Sequence, residues 1–72
     1  MEKEIRRGEY MHFKGKRYYV LDVAKHSETG EELVLYHAYD DSTLWARPKR
    51  MFLEDVVVEG KNVPRFKFVE KD

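Results

Sequence analysis

The segment RYYVLDVAKHSETGEELVLYHAY, Arg17–Tyr39, decides the fold. Two apolar runs, Arg17–Lys25 and Glu32–Tyr39, enclose a short polar stretch. Within that stretch, Thr29-Gly30 predicts a tight hairpin turn, since glycine accepts the positive φ that such turns need. β-branched and aromatic residues dominate both runs, which favours strands over helices. The segment is therefore predicted to form a β-hairpin.

Alternation along the two runs predicts which side chains share a face of the sheet. In the first run the apolar residues fall on both faces: Tyr19, Leu21 and Val23 on one, Tyr18, Val20 and Ala24 on the other. In the second run they do so again: Leu33, Leu35 and Tyr39 on one, Val34, Tyr36 and Ala38 on the other. Strands that are apolar on both sides fit a small closed or nearly closed barrel, in which bent strands serve two packing layers.

Turn signals divide the rest of the chain into further short strands. They are Lys14-Gly15, the polar run Asp40–Thr43, and Glu59-Gly60. The resulting strand candidates are, in order, Gly8–Phe13, Lys16–Ala24, Glu32–Tyr39, Leu44–Arg47, and a last pair of short runs, Val56–Val58 and Val63–Val69.

The segment after the fourth strand breaks the strand pattern. Proline cannot continue a central strand but suits the first position of a helix, so Pro48–Leu53 is predicted to form one short helical turn. Met51 and Phe52 would close an open end of the barrel, while Lys49 and Arg50 would remain in solvent. The expected fold class is all-β, a small barrel of about five antiparallel strands. Residues 8–69 would form this domain, with a frayed N-terminus at 1–7 and a C-terminal tail at 70–72.

Length and composition limit the classes of protein. Seventy-two residues make one small domain, which buries only roughly 60% of the surface of its unfolded chain. Large side chains must therefore supply the core, and five Tyr, four Phe and one Trp provide them. The absence of cysteine excludes disulfides, thiol catalysis and cysteine-bound zinc, and His12, His26 and His37 lack the spacing of a zinc site. We therefore expect no metal and no cofactor.

Charge and hydropathy bear on partners and location. Lys plus Arg and Asp plus Glu each number 14, and this balance argues against a protein that coats nucleic acid, which is usually strongly basic. No apolar run approaches the roughly 20 residues of a transmembrane helix. The charged start Met1–Glu4 lacks the apolar stretch of a signal peptide. We expect a cytoplasmic protein that does not contact a membrane.

Four segments of the sequence resemble one family of short bacterial proteins. They are GEYMHFKGKRYYVL (Gly8–Leu21), HSETGEELVLY (His26–Tyr36), LWARPKRMF (Leu44–Phe52) and VPRF (Val63–Phe66). In order and spacing they are similar to the DUF1653 family, whose function is unknown. The resemblance implies an SH3-like barrel, in agreement with the strand pattern, and implies no activity or ligand. Ala46 departs from the family, which more often has valine there.

The polar tip of the hairpin Arg17–Tyr39, which consists of His26–Glu31, contains the residue types of a hydrolytic triad. Adjacent side chains on an extended chain point apart, so His26, Ser27 and Glu28 are poorly placed to pass a proton along. Turn chemistry accounts for the same residue types, with the Ser27 and Thr29 hydroxyls accepting hydrogen bonds from turn amides. The tip is therefore interpreted as a rigid recognition element, and an enzyme acting at His26–Glu28 is a distant alternative.

The run Leu44–Arg47 suggests a binding surface. On a strand, Leu44 and Ala46 share one face while Trp45 and Arg47 share the other. If the aliphatic face packs inward, Trp45 and Arg47 project together, a pairing common in interfaces that could also stack a base and hold a phosphate. Alternatively, Trp45 belongs to the core and Arg47 to a salt bridge at the strand edge. Both interpretations stay open.

Basic residues gather at three places along the chain: Lys14, Lys16 and Arg17; Arg47, Lys49 and Arg50; Arg65 and Lys67. Aromatic residues lie between them: Tyr10, Phe13, Tyr18, Trp45 and Phe66. A basic aromatic face results if these clusters meet on one side of the domain, although scattered charges usually form a solvated surface. Acidic residues gather at other turns: Glu28, Glu31, Glu32, Asp40 and Asp41.

The leading prediction is a non-catalytic binding module that recognises a protein segment or peptide. The alternative is an RNA- or DNA-binding module that acts through the basic aromatic face. The residues predicted to contact the ligand are His26, Ser27, Glu28, Tyr36, Trp45, Arg47 and Arg65.

Overall fold

Strands dominate residues 5–70, the part of the chain that the computed structural model describes. The elements in chain order are β1 Gly8–His12, β2 Arg17–Lys25, β3 Glu32–Ala38, β4 Trp45–Pro48, α1 Lys49–Phe52, β5 Asp55–Val58, β6 Lys61–Pro64 and β7 Phe66–Phe68. All the predicted strands except the last form close to their expected bounds, and the predicted helical turn forms as α1.

The strands form two antiparallel sheets within the described residues. Five of them lie in the order β4-β3-β2-β1-β7, while β5 and β6 make a separate hairpin. β1 pairs on both sides, so that Tyr10 lies between Tyr18 of β2 and Phe68 of β7. Mostly antiparallel strands with one short helix confirm the prediction of a small all-β, barrel-like fold.

The two ends of the described chain lie side by side. Ile5 packs against the core, and an Arg6 guanidinium nitrogen lies 2.9 Å from a Glu70 carboxylate oxygen. The backbone N–H of Val69 donates a hydrogen bond to the carbonyl of Glu9 at 2.9 Å. Residues 1–4 of the predicted frayed N-terminus, and 71 and 72 of the predicted tail, lie outside the described residues.

The last predicted strand, Val63–Val69, divides at Arg65 into β6 and β7. The Arg65 N–H donates to the Glu54 carbonyl at 3.0 Å, and the Arg65 carbonyl accepts from the Phe13 N–H at 2.9 Å. Pro64 immediately before it has no N–H to offer to a ladder. The division places β6 in the small hairpin and β7 beside β1.

A β-bulge in β2 corrects one predicted face. Val20 and Asp22 pair with consecutive residues of β3, so Leu21 is the extra residue. Beyond the bulge, Val23 lies opposite the buried Val34 and packs against the core. The prediction that Val23 shares a face with Leu21 is wrong, because the bulge reverses the alternation.

The core is largely aromatic. Its buried members are Tyr10, Val20, Val34, Tyr36, Phe52 and Phe66. Phe52 is 1% exposed and stacks on Phe66, with ring centroids 4.2 Å apart and planes 4° apart. Tyr10 meets the Phe52 ring edge-on at 5.2 Å. The helical turn thus carries Phe52 into the barrel, as the sequence predicts.

The two basic residues of α1 differ in their surroundings. Arg50 is exposed and pairs with Glu31 of the tip at 3.1 Å. The Lys49 side chain is only 14% exposed, and its ammonium lies 3.4 Å from a Glu32 carboxylate oxygen. The prediction that Lys49 lies in solvent is therefore wrong, because its aliphatic part is covered while its charge is paired at the surface.

Candidate functional site

The tip is an ordered loop that the backbone closes. The His26 N–H donates to the Glu31 carbonyl at 2.7 Å, and the Gly30 N–H donates to the His26 carbonyl at 2.9 Å. Gly30 has a φ of +74°, which confirms the glycine requirement predicted for this turn. The tip therefore has a defined shape.

Side chains satisfy the remaining amides of the tip. Nδ1 of His26 accepts from the N–H groups of Glu28 at 3.1 Å and Thr29 at 3.4 Å. The Thr29 hydroxyl accepts from the Glu31 N–H at 3.1 Å, as predicted. The expected similar role for Ser27 is filled by the imidazole instead, since no hydrogen bond of the Ser27 hydroxyl is found within residues 5–70. Turn formation thus explains why histidine stands here.

Trp45 lies on the inner face of the sheet, at its edge. It is directly opposite the buried Tyr36, yet 51% exposed, because β4 is the outermost strand. Leu44 and Ala46 are exposed. Neither open interpretation holds in full: the aliphatic residues do not pack inward, and Trp45 is not enclosed by the core.

Tyr18, Tyr36, Trp45 and Arg47 line a shallow cavity of about 200 Å³, here called the aromatic groove. Tyr36 is buried and meets the ring of Tyr18 edge-on at 5.4 Å. Nε of Arg47 donates to the Tyr36 hydroxyl at 3.2 Å, which fixes the guanidinium beside the groove. The groove thus combines a firm aromatic floor, an exposed indole and an oriented cation.

One cation from each of the three basic clusters of the sequence acts electrostatically on His12. Its ring lies 4.9 Å from the Phe66 ring and 6.1 Å from that of Tyr18, which places it next to the groove. The pKa of His12 is held below its usual value, first by burial of the ring and then by the positive charges of Arg65, Lys14 and Arg47. These three cations are called the cationic rim.

The rim is only partly neutralised. Arg65 pairs with Glu54 at 3.1 Å. Within residues 5–70, neither Lys14 nor Arg47 forms a salt bridge with a carboxylate. The basic clusters therefore do contribute to one face, and that face carries unbalanced positive charge beside exposed aromatic rings.

The structure brings together only part of the predicted ligand-contacting set. Tyr36, Trp45 and Arg47 meet in the aromatic groove, and Arg65 lies in the rim. His26, Ser27 and Glu28 do not join them. The tip follows the end of β2 and precedes Glu32, whereas Trp45 is opposite Tyr36, about 13 Å farther along β3.

Sequence reasoning left Tyr18 and His12 out of the ligand-contacting set. Tyr18 shares its predicted face with Val20, so alternation could have placed it next to Tyr36. His12 gave no local signal, because its position depends on the pairing of β1 with β7, in which it lies opposite Phe66.

The described residues contain neither a metal-ligand cluster nor a membrane-spanning helix. Within residues 5–70, no three side chains of His, Cys, Asp or Glu lie close enough together to hold a metal ion. In the same part of the chain, no helix has both the length and the apolar character needed to cross a bilayer.

Stability is expected to fall as the pH drops from neutral to mildly acidic values, partly through His12. Its pKa is lower in the folded chain than in the unfolded chain, where it is about 6.5. The unfolded chain therefore takes up the proton first, so this contribution is complete above about pH 6.5 and is lost as the pH falls through the folded pKa. Urea denaturation at several pH values measures the slope.

The variant His12→Gln removes this titration and is expected to lose less stability on acidification than the wild type. Leu44→Ala, a change at an exposed residue just before β4, is the control and should follow the wild-type slope. Equal slopes for His12→Gln and the wild type would contradict the assignment.

Comparisons with known proteins identify relatives of the chain. The family model described as "Protein of unknown function (DUF1653)" matches residues 8–68. The crystal structure of a protein belonging to DUF1653 from Bordetella bronchiseptica has a TM-score of 0.83 and 32% sequence identity, over 92% of this chain and 88% of that one. Among proteins with curated descriptions, none matches.

Proposed function

Since the chain belongs to the DUF1653 family of proteins of unknown function, we propose its function from its site: a non-catalytic module that binds an extended protein segment in the aromatic groove. The observation that carries this proposal is the half-exposed Trp45, held next to Arg47 above a buried tyrosine. Tryptophan, tyrosine and arginine are enriched among the few residues that carry most of the binding energy in protein interfaces.

The position of β4 favours an extended ligand. Within the described chain, β4 pairs with β3 on one side, and no strand pairs with its other side. Such an edge offers backbone N–H and C=O groups to which an incoming strand can add. Trp45 and Arg47 are two residues apart on that edge, so both would lie beside the side chains that an added segment presents on the same face of the sheet.

The tip supports a module without catalysis. Nδ1 of His26 is used as an acceptor for amides of its own turn, and Ser27 and Glu28 extend into solvent. Neither the groove nor the rim contains a serine, threonine or cysteine that His12 could activate. These features support the proposal of a module that binds without catalysis.

Trp45 provides a direct test, because it is the one tryptophan of the chain. Peptides selected from a random display library on the wild-type protein would be synthesised and titrated while the indole emission is recorded. Emission is expected to shift to shorter wavelength and to saturate, since the segment removes water from the indole. Tyr19→Ala, on the opposite face of the sheet, should preserve both affinity and shift. Peptides that bind without changing the emission would contradict the proposed site.

Nucleic-acid binding is the second candidate, because the cationic rim lies beside exposed rings. Bases can stack on such rings while cations hold phosphates. Its test is a titration with short single-stranded RNA and DNA at low salt, where affinity should fall steeply as salt is added. No binding under those conditions would exclude it.

A further inference from the structure

We propose that the segment bound in the aromatic groove is acidic, with a carboxylate held by Arg47 two residues away from an apolar side chain that covers Trp45. This inference rests on the proposed function and names the chemistry of its partner. It follows from the charges of the rim, from the geometry of the edge strand, and from the carboxylates that flank the rim.

Arg47 is prepared to receive a carboxylate. Its Nε is engaged by the Tyr36 hydroxyl, and no hydrogen bond from its two terminal nitrogens is found within residues 5–70. The planar guanidinium is thus oriented by one contact while its paired donors stay available, and such donors match the two oxygens of a carboxylate. Lys14 adds a second positive charge that no carboxylate of the described chain neutralises.

Arg65 adds a further charge but is already held in place. It pairs with Glu54 at 3.1 Å, and its own Nε is buried without a hydrogen-bond partner in the described structure. Its contribution to the ligand is therefore a long-range attraction, as is that of Lys14, while the direct contact falls to Arg47. Substitution of Arg47 is therefore expected to weaken binding more than substitution of a cation that acts only at long range.

The spacing on β4 sets the pattern of the ligand. Trp45 and Arg47 project to the same face two residues apart, and residues directly opposite on a paired strand have the same spacing. A segment added at this edge places its acid opposite Arg47 and its apolar residue opposite Trp45. The expected sequence therefore has an acidic and an apolar residue separated by one residue.

The carboxylates around the rim favour a peptide over a nucleic acid. Lys16 lies 3.8 Å from Asp40, and Arg65 lies 3.1 Å from Glu54. Negative charge thus flanks the cations, and a continuous phosphate backbone would have to run past it. A peptide can place one carboxylate at the unpaired cations and neutral residues on either side, and its backbone can extend the sheet by pairing with β4.

The experiment compares peptides selected from a random display library with their neutral analogues. We expect selection to enrich Asp or Glu two positions from an apolar residue, and replacement of that acid by its amide to weaken binding by about tenfold. Arg47→Gln should weaken binding to a similar degree and Lys14→Gln by a few-fold, with affinity falling as salt is added. Arg50→Gln, an exposed arginine beside the tip, is the matched control and should bind like the wild type.

The outcomes separate this inference from the function on which it rests. Selected peptides that lack acids but still shift the Trp45 emission overturn the inference and leave the proposed function in place. Equal losses in Arg47→Gln and Arg50→Gln also overturn it, because they indicate a general charge effect. If no peptide is selected, or if only single-stranded RNA or DNA binds, both proposals fail. Lys14→Gln keeps the test valid should Arg47→Gln fail to fold.

Discussion

Replacing Phe52 with alanine is expected to lower the free energy of unfolding by about 3–5 kcal/mol. The ring is 1% exposed and stacks on Phe66 at 4.2 Å, with Tyr10 and Tyr36 against its other sides. Removing it loses these contacts and leaves a cavity between α1 and the sheet, because four helical residues cannot collapse far enough to fill it. A domain has only about 5–15 kcal/mol of stability in all, so this single change brings it close to unfolding.

Guanidinium denaturation followed by far-UV circular dichroism measures the effect, since the large change is in the sheet. Phe13→Ala is the control because it removes the same atoms from a ring that is 37% exposed. We expect that control to cost less than half as much. Comparable losses for the two variants would show that Phe52 is not the centre of the core.

Replacing Trp45 with alanine is expected to weaken the binding of a selected peptide by at least about 30-fold, which corresponds to about 2 kcal/mol. The indole is the largest exposed ring of the aromatic groove, and its burial by the segment removes apolar surface from water. Because about half of it is already in solvent, the substitution should have little effect on folding.

Anisotropy of a fluorescein-labelled peptide measures this affinity without using tryptophan emission. Tyr19→Ala provides the comparison: Tyr19 is an exposed aromatic residue next to His37 on the opposite face of the sheet. If Tyr19→Ala keeps the wild-type affinity while Trp45→Ala loses most of it, the ligand lies at the aromatic groove and not on the opposite face. A loss of less than about threefold in Trp45→Ala would remove the indole from the binding site.

The strands were predictable from the sequence because their signals are local. Turn glycines, alternating apolar residues and Pro48 each act within a few positions, and the corresponding elements form where expected. The family resemblance was also correct, since the match covers residues 8–68. The burial of Phe52 followed from the same local reasoning.

The features that sequence reasoning missed depend on contacts between distant segments. The bulge at Leu21 and the division at Arg65 are set by pairing with other strands, which alternation within one run does not report. Alternation did group Trp45 with Arg47, but it gave neither their position at a sheet edge nor the neighbouring His12. The separation of the tip from Trp45 required the register of β3 against β4.

The pairing of β1 with both β2 and β7 has a consequence for how the protein folds. Its pairing with β2 closes a loop of a few residues, whereas its pairing with β7 joins Tyr10 to Phe68 across almost the whole domain. Closing the longer loop costs more chain entropy, and proteins rich in such distant contacts fold slowly. During folding, one edge of β1 lacks its second neighbour until β7 has docked. A chain that has formed the β1–β2 pairing alone therefore carries an unpaired strand edge, and such an edge can associate with other chains.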